Sequence, residues 1–262
     1  MSLLCALPFI ASLLVSCPSP DAMISGYVEG EYVSIAPIAA ARILEVSVTR
    51  GERVVKGAIL AKLEDEDARL ALSQAEARLA QARAEAERAR LDLSRTRELS
   101  QANVATQASL DAAKATLDVA EARVREVDAA LANARWLLSE RTLIAASGGM
   151  VDDVLRHPGD MAGPGSPVLS LLPDGAVKIR LYAPQALLPR LSERAELAIN
   201  CDGCPDGLKA IVSYVAKEPE FTPPVIYSVE RRQKLVYLIE ARPAEAGPYL
   251  RPGVIVDARI AP

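Results

Sequence analysis

The sequence predicts an α+β chain of elongated, multidomain build: a small β-sandwich split by a long antiparallel helical hairpin, followed by a small antiparallel β-barrel. Three observations carry that expectation. A short strand–turn–strand motif occurs twice, its copies 108 residues apart (Gly51 against Gly159). Between the copies lie two arms of unbroken three-four apolar spacing. After the second copy the pattern changes to short alternating strands.

In chain order, residues 1–17 read as an export signal. Leu3 to Val15 is an apolar stretch of signal-peptide length, and it ends in Leu14-Val15-Ser16-Cys17. Leu-x-small-Cys is the bacterial lipoprotein signature, in which Cys17 is lipidated and becomes the first residue of the mature chain. An ordinary export signal cleaved nearby, with an incidental cysteine, is the alternative. No Lys or Arg precedes the stretch, a departure from the usual signal pattern. Either reading places the mature chain in the periplasm of a two-membrane bacterium, and lipidation would hold its N-terminus at the inner membrane. No later apolar run reaches the ~18 residues that a membrane-spanning helix needs. Residues 18–34 follow, with an early strand around Met23–Ser34 placed to close the sheet of the barrel.

Residues 35–65 hold the first motif copy: Ile43-Leu44-Glu45-Val46, then Arg50-Gly51-Glu52, then Gly57 and Leu60. Residues 142–174 hold the second: Val151-Asp152-Asp153-Val154, then Pro158-Gly159-Asp160, then Gly165 and Val168. The internal spacing is kept without a slip. A unit this small cannot close a core alone, so each copy is expected to pair with the other.

Residues 66–141 form the hairpin. Leu72, Ala75, Leu79, Ala82, Ala86, Ala89, Leu93 and Thr96 step by three and four in the first arm. Leu110, Ala113, Leu117, Ala120, Val124, Val127, Leu131, Ala134 and Leu138 do so in the second. Sustained spacing of this kind keeps one seam facing a partner helix, as in a left-handed coiled coil, and should bury Leu117, Val124 and Leu131. The alanines favour helix and let the backbones approach closely. Arms of about 35 residues each would reach roughly 50 Å at 1.5 Å per residue. Only a few residues around Asn103 join them, so the arms are antiparallel with a tip at 102–106. A long two-chain coiled coil is disfavoured by that midpoint interruption.

From 175 to 262 the pattern is β. Val177–Tyr182 alternates apolar and charged residues like a half-buried strand, and further strands are expected at Ala195–Asn200, Leu208–Val215, Lys234–Ala241 and Val254–Ile260. Five strands separated by turn signals suggest a small antiparallel barrel. Glu220–Ser228 contains Pro223-Pro224 and reads as a stiff extended loop. Cys201 and Cys204 flank Asp-Gly in a tight turn. In an oxidising compartment they would form a small disulfide. A redox motif should open a helix within a βαβ pattern, and a zinc site needs further ligands where His157 is the only histidine.

The net charge of −4 comes without a basic block, which argues against nucleic acid as a partner. No nucleophile–base pair, phosphate-cradling glycine loop or metal cluster is evident, so neither catalysis nor a cofactor is expected. His157, in Arg-His-Pro-Gly-Asp, reads as an exposed turn residue.

These motifs together resemble the bacterial membrane fusion, or periplasmic adaptor, proteins of the hemolysin D type. The resemblance covers two half-lipoyl motifs, the hairpin inserted between them and the β-barrel that follows. It implies a lipoyl-like sandwich and an adaptor that links an inner-membrane transporter to a TolC-type outer-membrane channel, with copies packed side by side into a ring. In that family Arg-x3-Leu-x6-Ser at the hairpin tip is associated with docking onto the channel. Arg95, Leu99 and Thr106 fall at those spacings, with Thr in place of Ser. Thr106 is equally placed to cap the second arm. Cys-Asp-Gly-Cys-Pro and Glu-Phe-Thr-Pro-Pro-Val-Ile-Tyr-Ser look like the subgroup that works with ABC-type exporters. Two other readings compete. A lipoyl or biotinyl carrier would present a modified lysine on the joint that the hairpin occupies here, and Lys62 lacks that context. A purely structural envelope lipoprotein that spaces two membranes is the other.

Overall fold

The computed structural model describes residues 23–221, 235–245 and 247–260. Cys17, the signal-like segment and Thr222–Ser228 of the proline-rich loop lie outside the described residues. The chain divides into two units, Tyr32–Asp174 and Met1–Glu31 with Gly175–Pro262. The first strands are β1 (Ile24–Gly30), β2 (Val33–Ile35), β3 (Ala41–Val46), β4 (Arg53–Val54) and β5 (Ile59–Leu63). Helices α1 (Glu66–Gln101) and α2 (Gln107–Ser139) follow. The chain resumes with β6 (Thr142–Ile144), β7 (Gly149–Val154), β8 (Met161–Ala162) and β9 (Leu169–Pro173). It ends with β10 (Val177–Pro184), β11 (Glu196–Asn200), β12 (Leu208–Val215), β13 (Glu220–Phe221), β14 (Leu235–Pro243) and β15 (Ile255–Ile260).

The repeated motif builds two four-stranded sheets, β2-β9-β7-β4 and β6-β5-β3-β8. Each sheet is completed across the repeat: β3 pairs with β8, β5 with β6, and β7 with β4. The exchange is reciprocal down to single bonds. Ile43 N–H donates to Asp160 O at 2.9 Å, and Val151 N–H donates to Glu52 O at 2.9 Å. Both copies carry a β-bulge, between Ile43 and Glu45 and between Val151 and Asp153. Gly51 and Gly159 turn the chain at φ 82° and 97°, a region that costs other residues energy. The acidic residue after each glycine caps its own turn: Thr49 N–H donates to Glu52 and His157 N–H to Asp160, both at 2.9 Å. Ile43, Leu60, Val151 and Val168 meet in the shared core, each at most 1% exposed. Neither copy could bury them alone.

The early strand expected over Met23–Ser34 is shorter than that. β1 stops at Gly30, and Val33 and Ser34 pair instead with Leu171 and Ser170 of β9. The symmetry supplies the reason. β6 covers the edge of β5, so β9 needs an equivalent strand, and β2 provides it while Ile35 packs on the sandwich core.

In the hairpin, Ala75, Leu79, Ala82, Ala89 and Leu93 of α1 are buried, as are Val127, Leu131 and Ala134 of α2. The seam runs through the expected positions, but Leu117 and Val124 are only half-buried. A two-helix seam shields a side chain on one side only, which leaves Leu117 half-exposed even with Leu93 opposite, and Ala86 and Ala89 are too short to cover Val124. Apolar packing therefore concentrates in the half of the hairpin nearer the sandwich, around Ala75, Leu79, Ala82, Val127, Leu131 and Ala134.

The second unit is a barrel of strands β10-β1-β15-β11-β12-β14, closed by pairing of β10 with β14 and extended by β13 at the end of β14. Ile24, Val28, Ile179, Leu181, Leu197, Ala210, Ile239 and Val256 fill its interior. Cys201 and Cys204 form a disulfide with Cα atoms 5.3 Å apart, in the β11–β12 connection, and both pack against the barrel core.

Candidate hairpin-tip interface

The tip is built by two capping devices. At the end of α1, Asn103 adopts φ 59°. Asn103 N–H donates to Ser100 O at 3.0 Å and Val104 N–H to Leu99 O at 2.8 Å. This pair of bonds is a Schellman motif with asparagine in the left-handed position. At the start of α2, the Thr106 hydroxyl oxygen accepts from Ser109 N–H at 3.2 Å, which satisfies one of the helix's free amides. Thr106 is therefore a helix cap.

Arg95 and Leu99 stand on one flank of α1, one turn apart. Arg95 is exposed and pairs with Asp92 at 3.0 Å, a surface pair of small net value. Leu99 is 49% exposed. The Schellman bond holds Val104 against the Leu99 carbonyl, and Val104 is 73% exposed. The two form an apolar apex with charge beside it. Sequence reasoning did not single out Val104, and an apolar residue directly after the left-handed Asn103 was the signal that could have found it.

Elsewhere, His157 is exposed in its turn. Among the described residues no group of three or more His, Cys, Asp or Glu could hold a metal ion, and no helix is long and apolar enough to cross a membrane. A groove of about 350 Å³ beside the hairpin base is lined by Ala71, Ala75, Ala134 and Leu137 together with Asp67, Arg78, Glu140 and Arg141. Glu45 lies below the ordinary carboxylate range because Lys62 and Ser47 hydrogen-bond to it. In the barrel, burial followed by a hydrogen bond with Tyr27 pushes the Tyr182 phenol up. Lys178 is raised chiefly by its 2.8 Å hydrogen bond to Glu240. Each of these shifts is accounted for by the immediate neighbours of the group.

Residues 71–139 match the model of the alpha-helical hairpin domain of RND membrane fusion proteins. Among curated relatives, the UPF0194 membrane protein in the asrC 5′ region of Acidithiobacillus ferridurans is 32% identical over 50% of this chain and 39% of its own length. The uncharacterized protein YdhJ of Escherichia coli is 27% identical over 66% of this chain and 61% of its own length. The chain thus spans less than two thirds of these relatives. Among solved structures, the membrane fusion protein Spr0693 of Streptococcus pneumoniae superposes with TM-score 0.64 at 17% identity, covering 92% of this chain and 98% of that one. A MacA-MexA chimera carrying the Pseudomonas aeruginosa MexA hairpin gives 0.62 at 17% identity, covering 92% and 79%. This chain therefore has the fold of the membrane fusion, or periplasmic adaptor, proteins and carries their helical hairpin at residues 71–139.

Proposed function

We propose that this protein is the periplasmic adaptor of a tripartite exporter, linking an inner-membrane transporter of the ABC type to a TolC-type outer-membrane channel. The observation that carries the reading is the tip: an apolar apex of Leu99 and Val104 beside the Arg95 guanidinium, at the end of a hairpin about 50 Å long. An exposed apolar pair next to a bidentate hydrogen-bond donor suits burial against another protein. Leu99 and Arg95 contact the channel, Thr106 organises the tip, and a lipidated Cys17 anchors the chain to the inner membrane. Copies pack side by side into a sealed conduit.

The test compares Leu99→Asp, Arg95→Asp and Thr106→Ala in a strain whose own copy is deleted. Export is read as survival against compounds to which the deletion sensitises the strain, beside melting of each purified protein. Leu99→Asp and Arg95→Asp should abolish export while stability changes by no more than a few tenths of a kcal/mol, as at other surface sites. Full export by those two stable variants would refute tip docking.

A further inference from the structure

The flank of the hairpin opposite Leu99 carries a charge ladder between the arms. Its rungs are Glu76–Arg135 at 3.7 Å, Arg83–Asp128 at 3.8 Å and Arg90–Glu121 at 3.4 Å. Each step advances seven residues along α1 and goes back seven along α2, the register of an antiparallel coiled coil. The same seven-residue step taken once more toward the tip falls on Arg97 and Lys114. Both are exposed, and among the described residues neither makes an ion pair. The carboxylates nearby are engaged or do not reach. Asp111 accepts from Gln107 at 3.0 Å, and neither Glu98 beside Arg97 nor Asp118 one turn from Lys114 comes within ion-pair distance of these two cations. Each of the three rungs thus joins opposite charges, and the series ends in two cations, on the side of the tip away from Arg95 and Leu99.

The geometry points to this last rung as a second contact surface of the tip, one that receives carboxylate side chains of the protein partner. The inference rests on the tip-docking reading above and deepens it: one flank offers an apolar contact, the other a pair of positive charges. Within the free hairpin the like-charge rung contributes repulsion where an opposite pair would stabilise. A partner that brings carboxylates between Arg97 and Lys114 removes that repulsion and completes the ladder from outside. Charges placed this way act chiefly on encounter rate and on the choice of partner and register. Their effect fades with added salt, because exposed charges are screened over a Debye length of about 10 Å at 0.1 M.

The probe is outer-membrane vesicles from the bacterium that encodes this chain, immobilised on a sensor surface, with association followed at 50 and 500 mM NaCl. Four proteins are compared: wild type, Arg97→Glu/Lys114→Glu, Arg97→Gln/Lys114→Gln and Leu99→Asp. The double reversal should slow association about tenfold at low salt, with the glutamine pair between it and wild type, and the differences should largely vanish at high salt. Arg97→Glu alone supplies an opposite partner for Lys114, so that variant should melt no lower than wild type while binding more slowly. The inference is overturned if the double reversal associates like wild type at 50 mM NaCl while Leu99→Asp does not bind. If instead Leu99→Asp binds normally and the double reversal fails, the charged flank stands and the Arg95–Leu99 docking reading is the one that falls.

Discussion

Truncating the same residue type at two points of the seam should separate the firm half of the hairpin from its loose half. Leu131 is 3% exposed and packs among Leu79, Ala82, Val127 and Ala134, whereas Leu117 is half-buried nearer the tip. Leu→Ala removes about 2.4 kcal/mol of transfer free energy at ~0.8 kcal/mol per methylene equivalent when the side chain is fully buried. A residual cavity adds to that, so Leu131→Ala should cost about 3 kcal/mol. At Leu117 part of the side chain is already in water and solvent can fill the space, so the cost should be about 1 kcal/mol. Amide hydrogen exchange reads these as local opening free energies. Exchange in the core of α2 should accelerate about 100-fold for Leu131→Ala and about fivefold for Leu117→Ala, taking ~1.4 kcal/mol per tenfold. Equal acceleration by the two variants, or a larger effect at Leu117, would refute the burial gradient and the packing argument behind it.

Three further outcomes follow from the structure. Thr106→Ala should lower hairpin stability by about 1 kcal/mol, the usual value of a side-chain N-cap, while Asn103→Gly should be neutral and Asn103→Val should cost 1–2 kcal/mol because of the φ of 59°; exchange at the tip amides checks both. Cys201→Ser/Cys204→Ser opens only a four-residue loop, so barrel stability should fall by about 2 kcal/mol on the chain-entropy account, as read by denaturant melting. The Tyr182 and Lys178 pKa values are both raised in the folded barrel. Their stabilisation is then complete below the ordinary values near 10 and is lost as pH rises through and above them. Barrel stability should decline above about pH 10, and Tyr182→Phe should make that decline shallower; an unchanged slope would remove Tyr182 from the account.

Local periodicity carries most of the fold. The offset between Gly51 and Gly159 anticipates the reciprocal sheets, because two units with identical internal spacing can satisfy the same bonds for each other. The seam positions are legible for a similar reason, since a three-four step determines which side chains face the other arm. What escaped are facts about degree and about ends. That Leu117 and Val124 are half-buried depends on how little a seam of only two helices shields, which spacing alone does not weigh. That β2 leaves the barrel strand to cover β9 is decided by an edge left open by the symmetry, not by the residues of β2 itself.

The tip is the least legible region, and the reason is physical. Its exposed residues depart from the rules of packing and pairing that hold elsewhere in the hairpin, and nothing inside the described chain compensates for the departure. Leu99 and Val104 are apolar yet exposed, and the heptad step that joins opposite charges at three rungs falls next on two cations, Arg97 and Lys114. Local violations of this kind collect at functional sites in sequences that are otherwise self-consistent. In this hairpin, two independent violations of different chemistry, one apolar and one electrostatic, fall on opposite flanks within two turns of the same end. A solvated end would need neither. An end that inserts between the helices of a partner would present both.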